Sequence, residues 1–168
     1  MPSANNTSNS SNIRSSELKI SVQRANDGAR LLVTLENEST GFLAPGLTAG
    51  DVIRYDVLLG GYTRAAATSL SNSEVFGIVE GVNVDGSLNV VTYGSMTYPS
   101  NRLINLDGVN YGGNDIYFLS DTQPGRLQNI PPDTVGKIVK PVYQRAPHRI
   151  GFTGTVVNYV GYSIINTG

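Results

Sequence analysis

Apolar and polar residues alternate in short runs along this chain, with a period of two rather than the three-to-four spacing of a helix face. Leu18, Ile20 and Val22 stand between polar neighbours, Asn26-Asp27-Gly28 supplies residues that tolerate positive φ, and Leu31, Val33 and Leu35 resume the alternation. The pattern predicts a β-hairpin within residues 16–40. "TGFLAPGLTAGD" (40–51) breaks it with Pro45 and three glycines and is expected to join the hairpin to the main body. In "GSLNVVTYGSMTYP" (86–99), Leu88, Val90 and Thr92 alternate with Asn89, Val91 and Tyr93, and Gly94 is expected to end the strand. Leu103 or Ile104 offers a short edge. Thr155, Val157 and Tyr159, then Val160, Tyr162 and Ile164, predict a C-terminal strand that closes the sheet.

The stretch "GGNDIYFLSDTQPGRLQNIPP" (112–132) has a backbone reading throughout. Ile116 to Leu119 form a strand, and Pro124-Gly125 form a turn in which proline sets one φ and glycine supplies the positive one. Pro131-Pro132 then stop the next strand. An internal echo runs through this part of the chain. "GDVIRYDVLLGGYTRA" (50–65) leads into "EVFGIVEGV" (74–82) much as "GNDIYFLSDTQPGRLQN" (113–129) leads into "TVGKIVKPV" (134–142). Arg64 and Arg126 occupy matching turns, and Glu80 and Lys140 occupy matching strand positions expected to face solvent.

Composition narrows this to one architecture. At 168 residues there is room for one domain and a flexible extension. Residues 1–15, almost wholly Ser, Asn and Thr, cannot offset their own ordering entropy and are expected to be an arm, free or ordered on a partner. The expected fold is all-β, a small antiparallel β-barrel or sandwich over 41–168, preceded by the hairpin at 16–40 and the arm at 1–15. No basic leader with an apolar run opens the chain, and no apolar stretch approaches the roughly 18 residues a membrane span needs, so a soluble, unprocessed product is expected.

Charge and residue types exclude several functions. Only 15% of residues are charged, the net charge is −1, and the twelve Lys and Arg form no run, so neither nucleic acid nor a membrane is an expected partner. Cysteine is absent and His148 is the single histidine, which leaves no zinc set and makes any Ser-His-Asp triad depend on one residue in "RAPHRIG". Asp107, Asp115 and Asp121, or Asp51 and Asp56, could be imagined as paired catalysts or calcium ligands. Turns use the same residues, because Asp bonds its own backbone two positions on. No catalytic residue, cofactor or metal site is assigned, and a depolymerase built on Asp115 has no acid–base constellation behind it. The nine tyrosines, among them Tyr93 with Tyr98, Tyr111 with Tyr117 and Tyr159 with Tyr162, serve either as core and sheet-face packing or as a stacking surface. A receptor or glycan contact, if present, would use the loop residues Arg102, Asn110, Tyr111 and Asn114.

Five segments in order, "GDVIRYD", "EVFGIVEGV", "NVVTYGSMTY", "NDIYFLSDTQPGRLQ" and "VGKIVKPV", carry a resemblance. From Gly50 to about Val142 the chain resembles a module recurrent in structural proteins of tailed bacteriophages, notably fibres and accessory virion proteins of cyanophage-like viruses. The resemblance covers somewhat over half the chain and brings no catalytic residues. It implies a non-enzymatic virion protein assembled in the bacterial cytoplasm. The first expectation is a capsid decoration or cement protein, attached through its arm and sheet edges; the alternative is a tail-fibre or tail-tip component that binds a host receptor or glycan. The implied partners are the major capsid protein or tail and baseplate subunits, with a homo-oligomer as the expected state and a trimer as one candidate for it. The chain lacks the heptads and Gly-x-y repeats of long fibre shafts, which suits a small accessory protein.

Overall fold

The computed structural model describes residues 19–25, 28–36, 42–106, 116–146, 153–157 and 163–168. They form an all-β fold in which two 3₁₀ turns, Ser71–Ser73 and Ser100–Arg102, are the helical elements among the described residues. The strands in chain order are β1 (Lys19–Ala25), β2 (Gly28–Leu35), β3 (Phe42–Leu43), β4 (Val52–Asp56), β5 (Gly61–Arg64), β6 (Gly77–Val82) and β7 (Leu88–Thr97). They continue with β8 (Leu103–Ile104), β9 (Ile116–Leu119), β10 (Leu127–Gln128), β11 (Ile138–Val139), β12 (Pro141–Arg145), β13 (Thr153–Val156) and β14 (Ile164–Ile165). Twelve of them make one curled sheet, ordered β3-β5-β4-β6-β7-β13-β12-β9-β10-β8, with the β1–β2 hairpin added to β7 through β2. The pairing is antiparallel except at the two ends, where β3 lies parallel to β5 and β8 parallel to β10.

The hairpin forms as its alternation predicts, in the register Ile20 opposite Val33 and Val22 opposite Leu31. The central strands do more than alternate. Leu32, Val91, Ile78 and Val52 align across β2, β7, β6 and β4 and belong to one core, while their neighbours Val33, Val90, Val79 and Ile53 belong to a second. These strands are therefore buried on both faces, and each apolar doublet in the sequence serves two cores. Completely burying one such aliphatic side chain is worth about 1.5–3 kcal/mol. The sheet's middle thus contributes heavily to stability from both sides.

Gly94 does not end its strand. β7 runs on to Thr97, and Gly94, at φ +99, is paired on one side with Arg30 of β2 and on the other with Val156 of β13. A Cβ there would collide with the Ala29 carbonyl and the Arg30 backbone, so the glycine marks a close approach of two strands rather than a stop. The C-terminal strand also differs from expectation. β14 pairs with β11 in a separate two-stranded sheet, Ile138 opposite Ile165, instead of closing the main one.

The two echoing stretches share part of their arrangement, although Ile138-Val139, the counterparts of Ile78-Val79, form β11 and pair with β14 in the second sheet. β4 is flanked by antiparallel β5 and β6, as β9 is by antiparallel β10 and β12. They meet through a ring of backbone hydrogen bonds in which Val52 N–H donates to Gly125 O (2.9 Å), Gly125 N–H to Ala65 O (2.8 Å) and Ala65 N–H to Val52 O (2.9 Å). Ala67 extends the seam, donating to Ser120 O and accepting from Ile138 N–H. Main-chain hydrogen bonds thus join the two halves along this seam.

Lys140 is a correction. Its side chain is buried, not solvent-facing, and desolvation lowers its pKa while nearby Glu74 acts in the opposite direction. Its echo partner Glu80 is half-buried and ion-paired with Arg30, which also holds Gln23 at 2.8 Å.

Candidate functional site

Asp51 lies where the two halves meet, and its side chain has no exposed surface. The tight turn before β4 produces a reciprocal pair of bonds: Asp51 N–H donates to Thr48 O at 3.0 Å, and Thr48 N–H donates back to Asp51 Oδ2 at 2.9 Å. Arg102, closing the second 3₁₀ turn, binds Oδ1, and Arg64, closing β5, lies 3.3 Å from Oδ2 and donates to Gly46 O at 2.6 Å. The Tyr98 hydroxyl donates to Gly50 O at 2.9 Å, and burial raises its pKa far above the ordinary phenol value. Gly125, at φ +80, brings the Pro124-Gly125 turn onto Arg64 and Asp51. Oδ1 is engaged by Arg102 and Oδ2 by Arg64 and the Thr48 amide, and the carboxylate is fully buried among the described residues. The arrangement fastens four segments together.

Of the proposed loop contacts, Arg102 therefore sits on the Asp51 carboxylate, with its side chain 18% exposed. Asn110, Tyr111 and Asn114 lie outside the described residues, as do Asp107, Asp115, His148, Tyr159 and Tyr162. Among the described residues no group of three His, Cys, Asp or Glu side chains could hold a metal ion, and no helix is long and apolar enough to cross a membrane. The described tyrosines divide between two roles. Tyr98, Tyr117 and Tyr143 are core residues, with Tyr143 at 5.6 Å from Tyr98 and 6.4 Å from Tyr117 between ring centroids, and the Tyr143 hydroxyl donates to Met96 O at 2.7 Å. Tyr93 is exposed and is not stacked on Tyr98, which is buried.

Two apolar surface features of the described residues lie on hairpins. β1 pairs with β2 alone, so its outer edge is open among the described residues, and Ile20 and Val22 are 61% and 76% exposed. The second is the β4–β5 turn, where Val57 and Leu58 are 82% and 98% exposed. That turn is held stiffly. Asp56 Oδ1 accepts from Leu58 N–H (2.9 Å) and Leu59 N–H (3.1 Å), Asp56 Oδ2 accepts from Arg54 (2.9 Å), and Gly60 N–H donates to Asp56 O (2.8 Å). The Leu59 amide does most to hold the Asp56 carboxyl below its usual range, against some desolvation and with help from Leu58 and Arg54. Beside the turn an open groove of about 410 Å³ runs between Arg54-Tyr55-Asp56 and Ser71, Asn72 and Glu74. The alternation of residues 52–64 locates this hairpin, but only the aliphatic run Val57-Leu58-Leu59, unusual for a turn, signals that it is more than a connection.

No protein-family model, no curated protein and no solved structure matches the chain.

Proposed function

We propose that the protein is a non-enzymatic structural subunit of a tailed-phage virion, a capsid decoration or cement protein that attaches through its N-terminal segment and sheet edges. The observation that carries this reading is the open β1 edge, with Ile20 and Val22 exposed along it. An unpaired strand bearing apolar side chains is a template for another chain's strand, and soluble proteins ordinarily blunt such an edge. The closed Asp51 junction supports the same reading, because the best-formed charged cluster among the described residues is occupied in holding the fold together. A neighbouring virion protein, the major capsid protein first, would add a strand to β1.

Immunogold electron microscopy of intact particles, combined with an Ile20→Lys/Val22→Lys variant, tests this. Label over the shell in the wild type, lost in a variant that still folds, is the expected result. Label at tail or fibre tips would move the protein to the tail. An absence of label, or full incorporation of the variant, would overturn the edge-mediated reading.

A further inference from the structure

We propose that the β4–β5 hairpin tip is a self-association site, in which Val57, Leu58 and Leu59 of one chain dock into the groove beside the same tip on a second copy, about a two-fold axis. This goes beyond the proposed attachment through β1 and uses a different surface.

The tip is built to be presented. Turns normally carry small or polar residues, yet this one carries three consecutive aliphatic side chains, exposed 82%, 98% and 50%. Asp56 fixes their backbone through the Leu58 and Leu59 amides, Arg54 fixes Asp56, and Gly60 adopts φ +69 to close the turn. A rigid apolar knob loses little conformational freedom on docking, so more of its burial appears as affinity.

The groove lies at the base of the same knob. It is lined by Arg54, Tyr55 and Asp56 of β4, by Ser71, Asn72 and Glu74, and by Val57 and Leu58 of the knob itself. A groove that adjoins the knob is the geometry an isologous pair requires, since one two-fold rotation can carry each knob to the other's groove. Residues 57–63 contain no charge, so the tip meets the Arg54–Asp56 pair and Glu74 without repulsion.

The area fits a small specific interface. Tyr55, Val57, Leu58 and Leu59 together expose an apolar patch on the order of 400 Å², the size of the largest, often functional, patch on a soluble monomer. Two such patches and their polar rims come to about 1,200 Å², the lower end of specific protein–protein interfaces.

Sedimentation equilibrium of the full chain, over concentrations up to about 100 µM, reads the association directly. The wild type is expected to be a monomer–dimer system. Leu58→Asp is expected to weaken dimerisation by at least about 100-fold. Its far-UV spectrum should stay unchanged, as should its melting temperature at concentrations where the wild type is monomeric, because Leu58 contributes its backbone amide rather than its side chain to the turn. Ser71→Arg, which fills the groove and leaves the sequence of the tip unaltered, should give the same loss. Val22→Lys, on the β1 edge, should leave the dimer intact. A wild type that stays monomeric, a dimer that survives both Leu58→Asp and Ser71→Arg, or one that Val22→Lys dissolves would overturn the proposal. A ring of three or more copies would overturn the two-fold arrangement. Loss of particle incorporation with the dimer retained would concern the β1 reading alone.

Discussion

The Cα of Gly125 rests against the Arg64 side chain so closely that a methyl group there would stand 3.0 Å from both Arg64 Cγ and Cδ, and 3.1 Å from Asp51 Oδ1. Gly86 shares the positive φ, at +88 against +80, but a Cβ on it would meet nothing within 4 Å. Gly86→Ala therefore tests backbone strain alone, at about 1 kcal/mol. Gly125→Ala adds displacement of Arg64 from the carboxylate and should cost about 2–3 kcal/mol. Urea denaturation of both variants measures the difference. Equal losses would mean that Arg64 yields freely.

Removing the carboxylate leaves two arginines facing each other in a site built for a counter-charge. Asp51→Ala should destabilise the fold by about 3 kcal/mol, the low end for a broken buried pair because Arg64 and Arg102 can partly turn to solvent. The same denaturation experiment checks it, and a loss below about 1 kcal/mol would place the pair among inconsequential surface bridges.

Tyr98 makes stability depend on pH on the alkaline side. Burial raises its pKa, Arg102 and Arg126 pull it down and Asp51 pushes it up, with a net rise. The folded chain keeps a proton that the unfolded chain releases above about pH 10, so the stability tied to this phenol is complete below that pH and declines above it. Tyr98→Phe should cost about 1 kcal/mol at pH 7 for the lost bond to Gly50 O. The gap between variant and wild type should narrow as the pH passes 10. A constant gap would contradict the assignment.

Asp56 works in the opposite direction. Its pKa is lowered chiefly by the Leu59 amide, so its contribution to the turn is complete above the ordinary carboxylate range and is lost as the pH falls through and below that range. Amide hydrogen exchange at Leu58 and Leu59 should accelerate there relative to the Gly125 amide, which bonds to backbone only. Asp56→Asn should abolish the difference in pH response.

The strands were legible because half-buried sheet faces leave a period of two, and the β1–β2 pairing follows Ile20, Val22, Leu31 and Val33 directly. The echo was legible too, since β4–β5–β6 and β9–β10–β12 share part of their arrangement. Two-sided burial was harder to see. Its mark was the doublets Leu32-Val33, Val52-Ile53, Ile78-Val79 and Val90-Val91, which simple alternation treats as noise. Gly94 and Lys140 misled for related reasons: a glycine inside a strand resembles a stop, and a lysine among valines resembles an outward position. The Asp51 junction left no trace in spacing, because Arg64, Arg102 and Gly125 come from separate segments that only the completed fold brings together.

The backbone ring linking Val52, Ala65 and Gly125 also sets an order of events during synthesis. Residues 52 to 65 leave the ribosome before 125, so the Val52 amide and the Ala65 carbonyl have no ring partner until Gly125 has been made, whereas the Ala65–Val52 bond can form at once. Contacts this distant in sequence close slowly. A chain cut short before Gly125 would keep the β4–β5 hairpin but leave that seam open at Val52 and Ala65.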